Sequence, residues 1–243
     1  MPKATALQKA NKAEITTDML GEMFSAGAHY GLSRRRRHPS TMDYIFGLKD
    51  GVEIIDLEKT QALLNDAATF VEELGKAGES ILFVTSKNEA NAVVKNIAES
   101  INQPYVTGRW IGGTFTNFNN IRGRIRHLED LEAQRDSGEL EKYTKKEQLL
   151  LEREMNRLIE KFGGIRNMTN KPAAIIVVDS KEEIIAINEA KHDGVATVAL
   201  CNVDCDVNEI DYPIVANDAR AESIRFFLQQ LRDAYEKGAG TTV

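Results

Sequence analysis

AAIIVVDSKEEIIAINEAKHDGVATVALCN, residues 173–202, decides the fold. AAIIVVDS and VATVALCN are near-continuous apolar runs of the kind that form strands covered on both faces. KEEIIAINEAKHDG between them reads as a helix that closes on a glycine. Strand, helix and strand in immediate succession predict a parallel pair, because parallel neighbours need a crossover. The same alternation extends outward. Upstream lie ILFVTS (a strand), residues 88–100 (a helix) and QPYVTG (a short strand). Downstream come DYPIVAN, another strand, and a final helix from Asp218 to about Glu236. Repeated alternation of this length predicts an α/β domain with a mainly parallel sheet and helices on both faces.

The region before that core is less regular. ITTDMLGEMFSAGAHYG suggests a short helix capped by Asp18 or Thr17, with Met19, Met23 and Phe24 as its apolar face. YIFGLKDGVEIIDL reads as two short strands joined by a turn at Lys49-Asp50-Gly51. EKTQALLNDAATFVEELGKAG is an amphipathic helix with Leu63, Ala67, Phe70, Val71 and Leu74 on one side, ended by Gly75 and Gly78. Residues 1–17 read as a flexible N-terminal tail, and residues 237–243 as a C-terminal one.

Residues 117–163 break the alternation. The stretch is long, charged and free of proline; Ile121, Ile125, Leu128 and Leu131 recur at helical spacing, as do Leu151, Met155, Leu158 and Ile159. Asp136-Ser137-Gly138 separates the two runs. The pattern predicts an antiparallel coiled-coil helical hairpin inserted into a discontinuous α/β domain of residues 18–116 and 164–236, with a seam separate from the main core.

The chain has 243 residues, 42% of them hydrophobic, enough for a sizeable core. Its first seventeen residues lack the apolar stretch of a signal peptide, and no run is long enough to span a bilayer, so the expectation is a soluble cytoplasmic protein. The two cysteines, Cys201 and Cys205, make no disulfide framework; one buried and one loop cysteine is the expectation.

Net charge is −6, yet positive charge is concentrated. GLSRRRRHPS, residues 31–40, carries Arg34, Arg35, Arg36 and Arg37 in irregular backbone, with Tyr30 and His38 able to stack on bases or sugars. Arginine forks grip phosphate bidentately, and neighbouring like charges repel unless phosphate neutralises them. A second basic face lies in GRWIGGTFTNFNNIRGRIRH, where Arg109, Arg122, Arg124 and Arg126 have no acidic neighbour and Asn117 adds an amide. Trp110 and the phenylalanines of this stretch read as core. Both stretches point to RNA.

Catalytic signatures are missing. There is no G-x-G-x-x-G or G-x-x-x-x-G-K-[ST] frame, and Gly112-Gly113 reads as a tight turn. His29, His38, His127 and His192 have no metal-ligand spacing, so neither metal nor cofactor is expected. Asp179 stands where α/β enzymes place acids but reads as a helix cap. A nucleotide-binding α/β enzyme and a free regulatory protein are the competing classes.

GAHYG, the HP before YIFGLKDGVEIIDLEKT, ILFVTSK, RWIGGTFTNF, YTKKE, FGGI and VALCNVDCDVNEIDYPIVANDA occur in an order that resembles the bacterial small-subunit ribosomal protein S-two family, from about residue 18 to 236. That resemblance implies a flavodoxin-like three-layer α/β/α domain with a coiled-coil hairpin. It also implies a structural, non-enzymatic place at the head–body junction of the small subunit. The partners implied are ribosomal RNA, neighbouring small-subunit proteins and, in many bacteria, the mRNA-binding protein S-one. Carried over by position, the RNA-facing residues are Arg34 to Arg37, His38, Lys87, Arg109, Asn117 and Arg122. The chain departs from the pattern at Leu32, where a second histidine is usual, at Arg37-His38, which replace an aromatic-Asn pair, and at Asn88, which replaces a basic residue.

Overall fold

The computed structural model describes residues 17–240. The expected N-terminal tail lies outside these residues except for Thr17, which opens α1 (Thr17–Ala26). Three short strands follow, β1 (Tyr30–Ser33), β2 (Ile45–Lys49) and β3 (Val52–Ile55), forming a small antiparallel sheet in the order β1-β3-β2. The β2–β3 turn is as expected: Asp50 and Gly51 both have positive φ, 52° and 80°, as a two-residue hairpin requires.

Then come α2 (Leu57–Ala77), β4 (Ile81–Thr85), α3 (Asn88–Ser100), β5 (Tyr105–Thr107), α4 (Phe118–Asp136), α5 (Lys145–Phe162), β6 (Ala174–Val178), α6 (Ile184–Asp193), β7 (Ala196–Cys201), β8 (Tyr212–Val215) and α7 (Ala221–Gly238). Strands β4 to β8 form one wholly parallel sheet in the order β5-β4-β6-β7-β8. Counted within that sheet, the order is that of flavodoxin-like doubly wound folds.

Alternation along the central strands divides the core in two. Ile81 and Phe83 of β4, with Ile176 and Val178 of β6, pack on α2, α3 and α7 through Val71, Val94 and Phe227. Leu82 and Val84, with Ile175 and Val177, face the other way onto α6 and the α4–α5 pair. Helix layers on both faces of the sheet make three layers.

Four details differ from the sequence reading. Phe24 of α1 is 63% exposed rather than part of an apolar face. Gly75 does not end α2, which runs on to Ala77 and is closed by Gly78 in the left-handed conformation. Gly75 instead lets α7 approach: a Cβ there would run into the Tyr235 carbonyl, and one at Gly238 into the Glu72 carbonyl. α7 thus extends to Gly238, and both cysteines are buried.

α4 and α5 bury Ile121, Ile125, Leu128 and Leu131 against Met155, Leu158 and Phe162, whereas Ile159 is 37% exposed. The T-K-K-E of YTKKE is a capping box that starts α5: Glu147 N donates to Thr144 Oγ1, and Thr144 N donates to Glu147 Oε2. The apolar residues between α4 and α5 are not a separate seam. They belong to one continuous cluster with Trp110, Phe115 and the Leu82–Val84 face of the sheet.

Candidate RNA-binding surface

The arginine block leaves β1 in a single 3-10 turn, Arg34–Arg36, and folding divides it. Arg34, Arg35 and Arg36 are exposed, with no carboxylate partner among the described residues. Arg37 turns inward, where its Nη1 donates to Glu53 Oε1 at 2.9 Å; the Glu53 side chain is only 2% exposed. The next residue staples the loop to the parallel domain. His38 N donates to the Val203 carbonyl at 2.8 Å, and Thr41 Oγ1 donates to the same carbonyl at 2.8 Å. The His38 ring works locally: its Nδ1 accepts from Ser40 N at 3.3 Å and lies 3.7 Å from Asp206. Tyr30 keeps 45% of its surface exposed.

The second basic stretch is also divided. Arg109, Asn117, Arg124 and Arg126 are exposed, while Arg122 is half-buried and donates to the Arg166 carbonyl at 2.9 Å. Arg166 in turn grips Glu132 with both ends of its fork, at 2.9 and 2.8 Å. The sequence reading missed Arg157 and Lys161 on α5, which join Arg124 around an open groove also lined by Glu154 and by the apolar Ile111, Leu150, Leu158 and Phe162. Their four-residue spacing, continued back to Arg153, was the available signal. Trp110 and Phe115 are buried and pack edge to face, as expected of core.

Lys87 sits elsewhere. It follows β4 at the carboxyl edge of the sheet, where the chain leaves neighbouring strands β4 and β6 in opposite directions, the place where doubly wound enzymes hold ligands. Its ammonium lies 2.7 Å from Asp179, just past β6, and 2.8 Å from Asp218, past β8. Asn202 Nδ2 donates to the other Asp218 oxygen at 2.7 Å. Burial alone would push the Lys87 ammonium below its ordinary pKa, but Asp218 and Asp179 outweigh burial and hold it above. Burial raises the Asp218 carboxyl, against the pull of Lys87. Cys205 closes the group, within 4.8 Å of both carboxylates, so the lysine supplies the positive charge that this acidic set needs. Asp179 also caps the turn before α6, accepting from Lys181 N and Glu182 N, as its sequence position suggested.

The glycine turn is filled from within too. Glu189 of α6 accepts from Gly113 N at 2.7 Å and Trp110 Nε1 at 3.4 Å through Oε1, and from Phe115 N at 3.2 Å through Oε2. Convergent N–H groups of this kind make an anion-binding concavity. Here the anion is the chain's own.

Among the described residues, then, this α/β scaffold presents cations outward and fills its switch-point crevice and glycine turn with its own side chains. Comparison with known proteins gives that scaffold a family. Residues 23–238 match the family described as Ribosomal protein S2. Curated relatives called small ribosomal subunit protein uS2 include that of Chloroherpeton thalassium, 42% identical over 88% of this chain and 86% of the relative. The Roseiflexus sp. (strain RS-1) relative is 41% identical over 89% of this chain and 82% of its own, and the Chloroflexus aggregans relative 40% over 89% and 91%. The chain belongs to the ribosomal protein S2 family, which is structural rather than enzymatic. Among the described residues no helix is long and apolar enough to cross a membrane.

Proposed function

We propose that this protein is a structural constituent of the small ribosomal subunit in the cytoplasm, holding ribosomal RNA at the head–body junction alongside neighbouring subunit proteins. The observation that carries the reading is the loop of Arg34, Arg35 and Arg36: three exposed cations, unpaired among the described residues, on a backbone tied to Gly51 and Val203. A rigid loop of free arginines meets phosphate without first breaking ion pairs of its own. Arg109, Arg124 and Arg126, with the amide of Asn117, extend the RNA-facing set. Arg37, His38, Arg122 and Lys87 support it from behind, since each is held by the protein itself. The α4–α5 pair is assigned as the antiparallel coiled-coil arm, and docking of the mRNA-binding protein S-one is part of the same proposal.

A nucleotide-binding enzyme is the poorer reading. The two places where such a fold would take a ligand, the switch-point crevice and the glycine turn, hold Lys87 and Glu189.

Sedimentation of cell extract through a density gradient, followed by a high-salt wash of the pooled particles, tests the proposal. The expected result is co-migration with small subunits that survives the wash. Recovery only as free protein at the top would overturn it and favour a free regulatory role.

A further inference from the structure

Three aromatic rings are layered beside the arginine loop. The His29 ring is stacked on Phe24, with centroids 4.3 Å apart and an interplanar angle of 7°, and meets Tyr30 at 4.1 Å with the two rings tilted by 39°. Phe24 is 63% exposed and Tyr30 45%, so the two outer rings of the stack reach solvent while the middle one is buried. Exposed aromatics normally need a reason, since burying such rings stabilises a fold more than almost any other side chain does. Packing alone does not account for the histidine either: its Nδ1 is buried with no hydrogen-bond partner among the described residues. Burial, with Lys49 and Arg220 nearby, holds the imidazole below its ordinary pKa.

The backbone that carries the stack is tied to the rest of the domain by hydrogen bonds. Asn217 Nδ2 donates to the Gly27 carbonyl at 3.0 Å, Asn217 N donates to the Ala28 carbonyl at 3.0 Å, and Ile55 N donates to the His29 carbonyl at 2.8 Å. Tyr30 begins β1, and Arg34 follows its end. At the rise of a β-strand, Tyr30 and Arg34 stand about 13 Å apart. Rings and free guanidinium groups thus share one short, preorganised stretch.

We propose that the Phe24–His29–Tyr30 stack is a platform for an unpaired base, and that the RNA held by Arg34, Arg35 and Arg36 reaches it as a single strand rather than as a duplex. The inference rests on the RNA-binding reading above and adds the kind of RNA. Every base has a π-face that can continue such a stack, whereas a paired base is already stacked on its neighbours. Charge complementarity favours nucleic acid over a protein strand on this face, because the arginines beside it have no carboxylate partner among the described residues.

Fluorescence anisotropy on the full chain tests this with two probes of equal phosphate number, a labelled oligoadenylate and a labelled RNA hairpin, each titrated over a range of salt. The expected result is tighter binding of the single strand. Tyr30→Leu should weaken that binding about 5- to 160-fold, the range found for loss of one stacked base, with the salt slope and the hairpin affinity unchanged. Phe24→Leu should act in the same direction. Thermal unfolding of both variants shows that the chain remains folded. Equal binding of both probes with no effect of Tyr30→Leu, while Arg34→Ala still weakens binding, would overturn the base platform and leave RNA binding intact, with the aromatic face free for a protein. Absence of binding to either probe by the unaltered chain would overturn both readings.

Discussion

Lys87 and Arg36 are both cations in short loops after strands, and folding treats them in opposite ways. Lys87 is drawn between Asp179 and Asp218, with little of its side chain left in water. Arg36 stands exposed with no carboxylate partner among the described residues. The difference lies in what the sheet brings to each. Asp179 and Asp218 are far from Lys87 in sequence, but parallel strands deliver their carboxyl ends to one edge. The arginine turn sits on the small antiparallel sheet, where Glu53 supplies one buried carboxylate and Arg37 takes it. A basic residue is free for phosphate only when the fold has no acid to give it.

The largest effect should come from the buried member of the pair. Lys87→Met leaves two carboxylates without their cation and should cost about 3–5 kcal/mol in a urea titration. The cost depends on pH with a definite sign. The folded Asp218 carboxyl already titrates above its ordinary value, and loss of the ammonium moves it further up. Such a group costs nothing below its unfolded pKa and progressively more as pH rises through the folded one. The deficit should therefore be smallest at acidic pH and grow as pH rises; a deficit that grew on acidification would break the assignment. In the unaltered chain the Lys87 contribution is complete at neutral pH and is lost only as pH rises past the ordinary lysine range.

Leu158→Ala should cost about 2–4 kcal/mol, as large-to-small changes in buried positions do. Trp110, the sole tryptophan, lies in the same continuous cluster and reports on it. Its fluorescence and the far-ultraviolet circular dichroism should fall together, whereas two separated transitions would restore an independent seam for α4 and α5. Gly75→Ala, by forcing α2 from α7, should cost about 1–3 kcal/mol, and a melting temperature equal to that of the unaltered chain would refute the close approach.

The exposed member closes the series. Replacing Arg34, Arg35 and Arg36 together by Ala should change stability by less than about 0.5 kcal/mol. The same change should reduce the log–log salt slope of RNA binding by about 0.7–0.9 for each phosphate that is no longer neutralised. Arg37→Ala sharpens the contrast, because it strands Glu53 and should act on stability first. If all four arginines behaved alike, the division of the block would be wrong.

Much of the fold was legible because periodicity carries it. ILFVTS, AAIIVVDS and VATVALCN are apolar runs that suit strands with two covered faces, and β4, β6 and β7 fall where they lie. β1 was not legible: Tyr30–Ser33 is a four-residue strand containing a glycine, and it exists through pairing with β3 rather than through its own pattern. Gly75 misled because a glycine that ends a helix and one that admits a neighbouring helix look alike until the neighbour is known. The free part of the arginine block was visible as charge density. The inward turns of Arg37, Arg122 and Lys87 were not, since Glu53, the Arg166 carbonyl and Asp218 reach them only through tertiary structure.

Glu189 carries a consequence of its own. A loop that receives its anion from a metabolite answers to that metabolite's concentration, opening when it is scarce and closing when it is plentiful. The turn around Gly113 receives its anion from α6, at the same stoichiometry in every molecule and at every moment after folding. The turn needs no ligand from outside the chain to fill it, because the acid that does so comes with the fold itself.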